Sequence, residues 1–67
     1  MDMVKVGTYC KNWRIKHGYT QGQIARDTHY SIENISVFER GGNDNSRIFV
    51  WYVNHGMSVA DMYTEVC

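Results

Sequence analysis

The run from Thr20 to Gly41, TQGQIARDTHYSIENISVFERG, carries two sets of helix-start signals in one short span. Thr20 is followed three residues later by Gln23, the spacing at which a hydroxyl accepts from an orphan backbone N–H while the amide side chain reaches back to the cap. Ser31 offers a second hydroxyl cap ahead of IENISVFE, and Gly41 stands where a helix end favours a residue tolerant of positive φ. The run therefore predicts two short helices joined by a tight turn. The first spans Gln21 to Thr28 and buries Ile24 and Ala25, with Gly22 costing about 1 kcal/mol relative to alanine. The second spans Ile32 to Arg40 and buries Ile35 and Phe38, leaving Ile32, Glu33, Ser36 and Val37 closer to solvent.

Three further helices surround this pair. Val6, Cys10, Trp13 and His17 recur at helical spacing and predict a helix from Val6 to His17, stopped by Gly18. Tyr19 then falls at the staple position before the Thr20 cap. GGNDNS is the longest loop signal, with Asn45 or Ser46 as a cap for the next helix. RIFVWYVNH, Arg47 to His55, has the β-branched and aromatic content of a strand, but a lone strand has no partner in this chain. Read as a helix, it places Ile48, Trp51, Tyr52 and His55 on the buried side and leaves Phe49, Val50 and Val53 as surplus apolar surface. Ser58 caps a last helix from Val59 to Val66, with Val59, Met62, Tyr63 and Val66 on one face. The expectation is an all-α, five-helix single domain over residues 1–67.

Size and charge narrow the function. A chain this short buries only about 60% of the surface its unfolded form exposes, which disfavours a large enzyme pocket. Seven basic residues balance seven acidic ones, without the basic excess of non-specific nucleic-acid binders. The charges are uneven along the chain, however. Lys5, Lys11, Arg14, Lys16 and Arg26 meet only Asp27 between residues 4 and 31, whereas Asp61 and Glu65 make the last segment acidic. A Cys10–Cys67 disulfide is disfavoured, because Cys10 lies in a helical pattern and Cys67 is the last residue. Neither a secretory leader nor a membrane-spanning run is read, so the expectation is a cytoplasmic protein without membrane partners. No metal-ligand spacing, nucleophile elbow or phosphate loop occurs, and no cofactor, metal or catalytic residue is expected.

Glu39 beside Phe38 falls on the inner side of its helix, where a carboxylate requires a partner. Arg14, beside Trp13, is the natural one, against the alternative of two independent surface charges. From Arg14 to Met62 the chain resembles the Cro/C1-type, XRE-like helix-turn-helix repressors of bacteria and their phages. The resemblance rests on Arg14 and Gly18 before Thr20-Gln21, then Ile24-Ala25, Ser31, Ile35-Ser36, Phe38-Glu39-Arg40-Gly41, and Gly56-Met57-Ser58. It implies a lambda-repressor-like five-helix fold, an Arg14–Glu39 ion pair, and a helix-turn-helix whose second helix enters the major groove.

Carried over residue by residue, the resemblance makes Gln21 a phosphate ligand at a helix N-terminus and Arg40, Asn43 and Asn45 backbone contacts. Ile32, Glu33 and Val37 take the base-reading positions, flanked by Ser31, Asn34 and Ser36. Family members commonly carry Gln, Arg, Lys, Asn or Ser at the reading positions. Here Ile32 and Val37 suit thymine methyls, Glu33 accepts from cytosine N4, and Asn34 fits adenine. The expected partner is double-stranded operator DNA, bound by a homodimer joined through Phe49, Val50, Val53, Met62 and Val66. The alternative is a protein-binding modulator or anti-repressor that turns the same fold towards a paired repressor protein.

Overall fold

The computed structural model describes residues 2–66. It contains five helices: α1 (Met3–Lys16), α2 (Gln21–Thr28), α3 (Ile32–Glu39), α4 (Ser46–Asn54) and α5 (Val59–Val66). No strand occurs among the described residues. α2 packs against α3 and α4, while α1 packs against α3 and α5.

Each helix start is capped by a side chain close by in sequence. The Thr20 and Gln23 capping box is complete: Thr20 N–H donates to Gln23 Oε1 at 2.7 Å and Gln23 N–H to Thr20 Oγ1 at 3.1 Å. Ser31 Oγ accepts from Asn34 N–H, Asn45 Oδ1 from Arg47 and Ile48 N–H, and Ser58 Oγ from Asp61 N–H. α1 begins at Met3 rather than Val6 because Asp2 caps it, accepting from the N–H groups of Val4 and Lys5. Asn45 likewise starts α4 at Ser46, one residue before the expected Arg47.

Three helices end in the same closed turn. In α1, Gly18 N–H donates to Ile15 O and Tyr19 N–H to Arg14 O; in α3, Gly41 donates to Phe38 O and Gly42 to Val37 O. In α4 the pairs are Gly56 to Val53 O and Met57 to Tyr52 O. This is the Schellman pattern, with glycine in the left-handed region at 78°, 80° and 106°. α2 differs: His29 takes the left-handed position at φ 62°, with no glycine available in THY.

The core comprises Val6, Cys10, Ile24, Ala25, Ile35, Phe38, Ile48, Trp51, Tyr52, Met57, Met62 and Val66. Two glycines let backbones meet within it. A Cβ on Gly7 would stand 2.6 Å from the carbonyl oxygens of both Phe38 and Glu39, and one on Gly41 2.6 Å from Val4 Cα. α1 therefore crosses the C-terminal end of α3 at backbone contact. Cys10 is a fully buried free thiol, pushed up to about 12 by burial and then by the nearby Glu39 charge. Cys67, the other half of the disfavoured disulfide, lies outside the described residues.

Several expectations need correction. His17 and His55 are exposed rather than buried. Each caps a helix C-terminus and stacks on the indole four residues earlier, at 4.2 Å on Trp13 and 3.8 Å on Trp51. Met62 and Val66 are buried in the core of the single chain, so neither offers surface to a second copy. Val59 and Tyr63, read as sharing their face, turn outward instead. α5 packs principally on α1, and that one neighbour covers only the i, i+4 pair of its apolar stripe.

Candidate functional site

Four helices converge on one carboxylate. Glu39 is 3% exposed and accepts from Arg14 Nε at 2.8 Å, Arg14 Nη2 at 3.2 Å and Gln21 Nε2 at 3.0 Å, as well as from the Tyr52 hydroxyl. Arg14 also donates from Nη1 to Tyr19 O at 3.0 Å, tying the guanidinium to the turn before α2. Burial acts to raise the Glu39 pKa, but hydrogen bonds from Arg14, Tyr52 and Gln21 outweigh it and hold the carboxyl below its ordinary value. The Arg14 pKa is raised, first by its hydrogen bond to Glu39. Burial and then the Glu39 hydrogen bond raise that of Tyr52 well above the usual phenol range. No buried side-chain nitrogen or oxygen among the described residues lacks a partner.

This network fixes α3 from behind and leaves its opposite face open. Ser31, Ile32, Glu33, Asn34 and Arg40 are exposed, with Ile32 at 54%, and Ser36 is half-buried. Val37 is also half-buried, because Gly42 folds back against it: a Cβ on Gly42 would lie 2.7 Å from Val37 Cγ1. The outward surface is thus led by the first turn of α3, with Val37 set back from it. Ser31 Oγ is already engaged in its cap. Asn43 and Asn45 stand in the loop after α3, where Asn43 Oδ1 accepts from Asn45 N–H and Asn45 Oδ1 caps α4. Their amide NH₂ groups, and the second lone pair of Asn43 Oδ1, are left to act outward. Gln21 donates one amide N–H to Glu39, which leaves its second N–H, its Oε1 and its position at the N-terminus of α2.

Between α1 and α3 runs a groove of about 420 Å³ lined by Thr8, Lys11, Gln21, Ser36 and Arg40 among others. It joins two cations from distant parts of the chain, Lys11 and Arg40, to the start of α2. Sequence reasoning named Arg40, Gln21 and Ser36 but missed Lys11 and Thr8. Their positions on α1 at i and i+3 were the available signal. Glu39 also lines this groove, but its charge is matched by Arg14.

Apolar side chains are also exposed on α4 and α5. Val50 and Val53 on α4 are 49% and 36% exposed, while Phe49 packs partly against the core. Val59 and Tyr63 on α5 are also exposed. Among the described residues no group of three His, Cys, Asp or Glu side chains is placed to hold a metal ion. Nor is any helix among them long and apolar enough to cross a membrane. Comparison with protein-family models, characterised proteins and solved structures finds no match to this chain.

Proposed function

We propose that this chain is a sequence-specific, repressor-like DNA-binding regulator acting in the bacterial cytoplasm, which binds operator DNA as a dimer with α3 in the major groove. The observation that carries this reading is the way α3 is held. Its inner face is fastened through Glu39 to α1, α2 and α4, while its first turn is exposed beside the Lys11–Arg40 groove. A reading helix held from behind and flanked by cations is what the lambda-repressor-like helix-turn-helix that the sequence resembles would require.

In this reading Lys11 and Arg40 neutralise backbone phosphate, and the N-terminus of α2 at Gln21 adds N–H donors. Ile32 packs on a thymine methyl, Glu33 accepts from cytosine N4, and Asn34 pairs with adenine. Val50 and Val53, with Val59 and Tyr63 in place of Met62 and Val66, form the surface that joins two copies. Dimerisation supplies much of the affinity, because a neutral monomer of this size has little electrostatic attraction to the duplex.

The test is binding to duplexes from upstream of its own gene across a salt series. Each phosphate contact contributes a slope of about −0.9 in log K against log salt. Lys11→Ala and Arg40→Ala should each flatten that slope by about this amount, and Lys16→Ala should leave it unchanged. A second reading, a protein-binding modulator, is favoured by the zero net charge and by exposed Glu33 and Ile32 on the reading helix. Failure of every such duplex at low salt, with co-purification of a neighbouring regulator, would decide for that reading.

A further inference from the structure

The first turn of α3 sets two side chains of opposite kind next to each other. Ile32 is 54% exposed, and Glu33 beside it is exposed and takes no part in an ion pair, Arg14–Glu39 being the one among the described residues. Neither side chain belongs to the core. A carboxylate among phosphates is repelled, so on a reading helix it requires a donor on a base edge. The major groove offers two, adenine N6 and cytosine N4. Adenine carries its N7 acceptor next to that donor, where the lone pair repels a carboxylate, whereas cytosine has ring carbon C5 there.

C5 is the position at which Ile32 matters. Gly22 of α2 leaves the tip of that side chain uncovered: a Cβ on Gly22 would stand 4.0 Å from Ile32 Cδ1 and 3.7 Å from Thr20 Oγ1, both ordinary contact distances. A methyl group therefore fits against Ile32 at this point without displacing a neighbour. A methyl group and an amino donor side by side single out one base. Thymine has the methyl but sets its O4 acceptor beside it, cytosine has the donor but no methyl, and neither purine has a methyl. 5-Methylcytosine carries both.

We infer that Ile32 and Glu33 together read one base, 5-methylcytosine, in place of a thymine and a cytosine. Glu33 accepts from N4–H while Ile32, bared by Gly22, covers the 5-methyl group. The inference rests on the reading of α3 as a helix in the major groove, and it makes binding answer to methylation of the operator. Replacing cytosine by its 5-methyl form strengthens binding about fourfold, the gain from burying one methyl group. Thymine at the same place turns O4 towards the carboxylate and weakens binding by about tenfold or more.

The experiment is selection by the full chain from two libraries of duplexes with random cores, one made with cytosine and one with 5-methylcytosine, at a single salt concentration. Fluorescence anisotropy titrations then compare 5-methylcytosine, cytosine and thymine at the enriched position, and affinity should fall in that order. Ile32→Ala should erase the methyl preference and keep cytosine above thymine. Glu33→Gln, whose amide both donates and accepts, should admit thymine and keep the methyl preference. Gly22→Ala fills the space against Ile32 and should also erase the methyl preference, with a melting temperature unchanged or higher because alanine is the better helix former. Equal binding of cytosine and 5-methylcytosine, or a methyl preference that survives Ile32→Ala or Gly22→Ala, would overturn the inference and leave α3 as a DNA reader. Enrichment of no sequence from either library would overturn it together with the DNA-binding reading.

Discussion

Gly7 shows how one missing side chain sets the spacing of two helices. Helix propensity alone favours alanine over glycine by about 1 kcal/mol in a helix interior. Here the added methyl would meet two carbonyl oxygens at 2.6 Å, with rigid helical backbone on both sides of the contact. Overpacking outweighs propensity, and Gly7→Ala should destabilise by about 1–3 kcal/mol in denaturant unfolding. A gain in stability would mean that α1 and α3 separate easily. Glu39 is the other decisive residue. Glu39→Ala orphans the buried Arg14 guanidinium and should cost about 3 kcal/mol. The direction of its pKa shift sets the pH dependence. Because the folded pKa lies below the ordinary 4.5, the contribution is fully present above that value and is lost as pH falls through the folded pKa. Acid unfolding monitored by circular dichroism should therefore begin below pH 4.5 in the native chain, and Glu39→Ala should remove this part of the acid sensitivity.

At the scale of the element, the turn between α2 and α3 is where the backbone departs from easy conformations. His29 at φ 62° is the one non-glycine residue with positive φ among those described. Its side chain is exposed, so replacement by glycine removes strain without opening the core. His29→Gly should raise stability by about 0.5–1 kcal/mol, net of glycine's greater unfolded-state entropy. An unchanged or lower melting temperature would mean that the histidine makes a compensating contact. The elements differ in how plainly the sequence announces them. Thr20, Gln23, Ser31 and Ser58 act through neighbours three residues away, so their helix starts were readable from spacing alone. His29 was not, because THY carries no glycine to mark a left-handed turn. The α5 stripe was readable as a stripe, yet only the packing of α1 decides that Met62 and Val66 go inward while Val59 and Tyr63 do not. At the candidate site, Arg14 opposite Glu39 followed from the need of a buried carboxylate for a cation. The Tyr52 and Gln21 bonds to the same group depend on how α4 and α2 are packed, and no local pattern encodes them.

For the whole molecule, a 67-residue chain has little margin, and its polar core concentrates what margin there is. The three Schellman ends and the capped starts leave short helices whose isolated stability is negligible, since segments under about twelve residues are marginal in water. α2, α3, α4 and α5 all fall in this class. All four persist by packing on other helices, and α2, α3 and α4 also by sharing one acceptor. Glu39 draws donors from α1, α2 and α4 while itself belonging to α3, and α5 supplies none. In native-state hydrogen exchange the first four helices should therefore behave as a single opening unit, with their slowest amides converging on the global unfolding free energy. α5 should exchange earlier, as a flap that detaches while the remainder stays closed. Separate opening of α3 ahead of α1 would show that the shared carboxylate does not bind the four into one cooperative block. A single carboxylate would then set the grain of the molecule's motion: four helices that move together and a fifth able to leave.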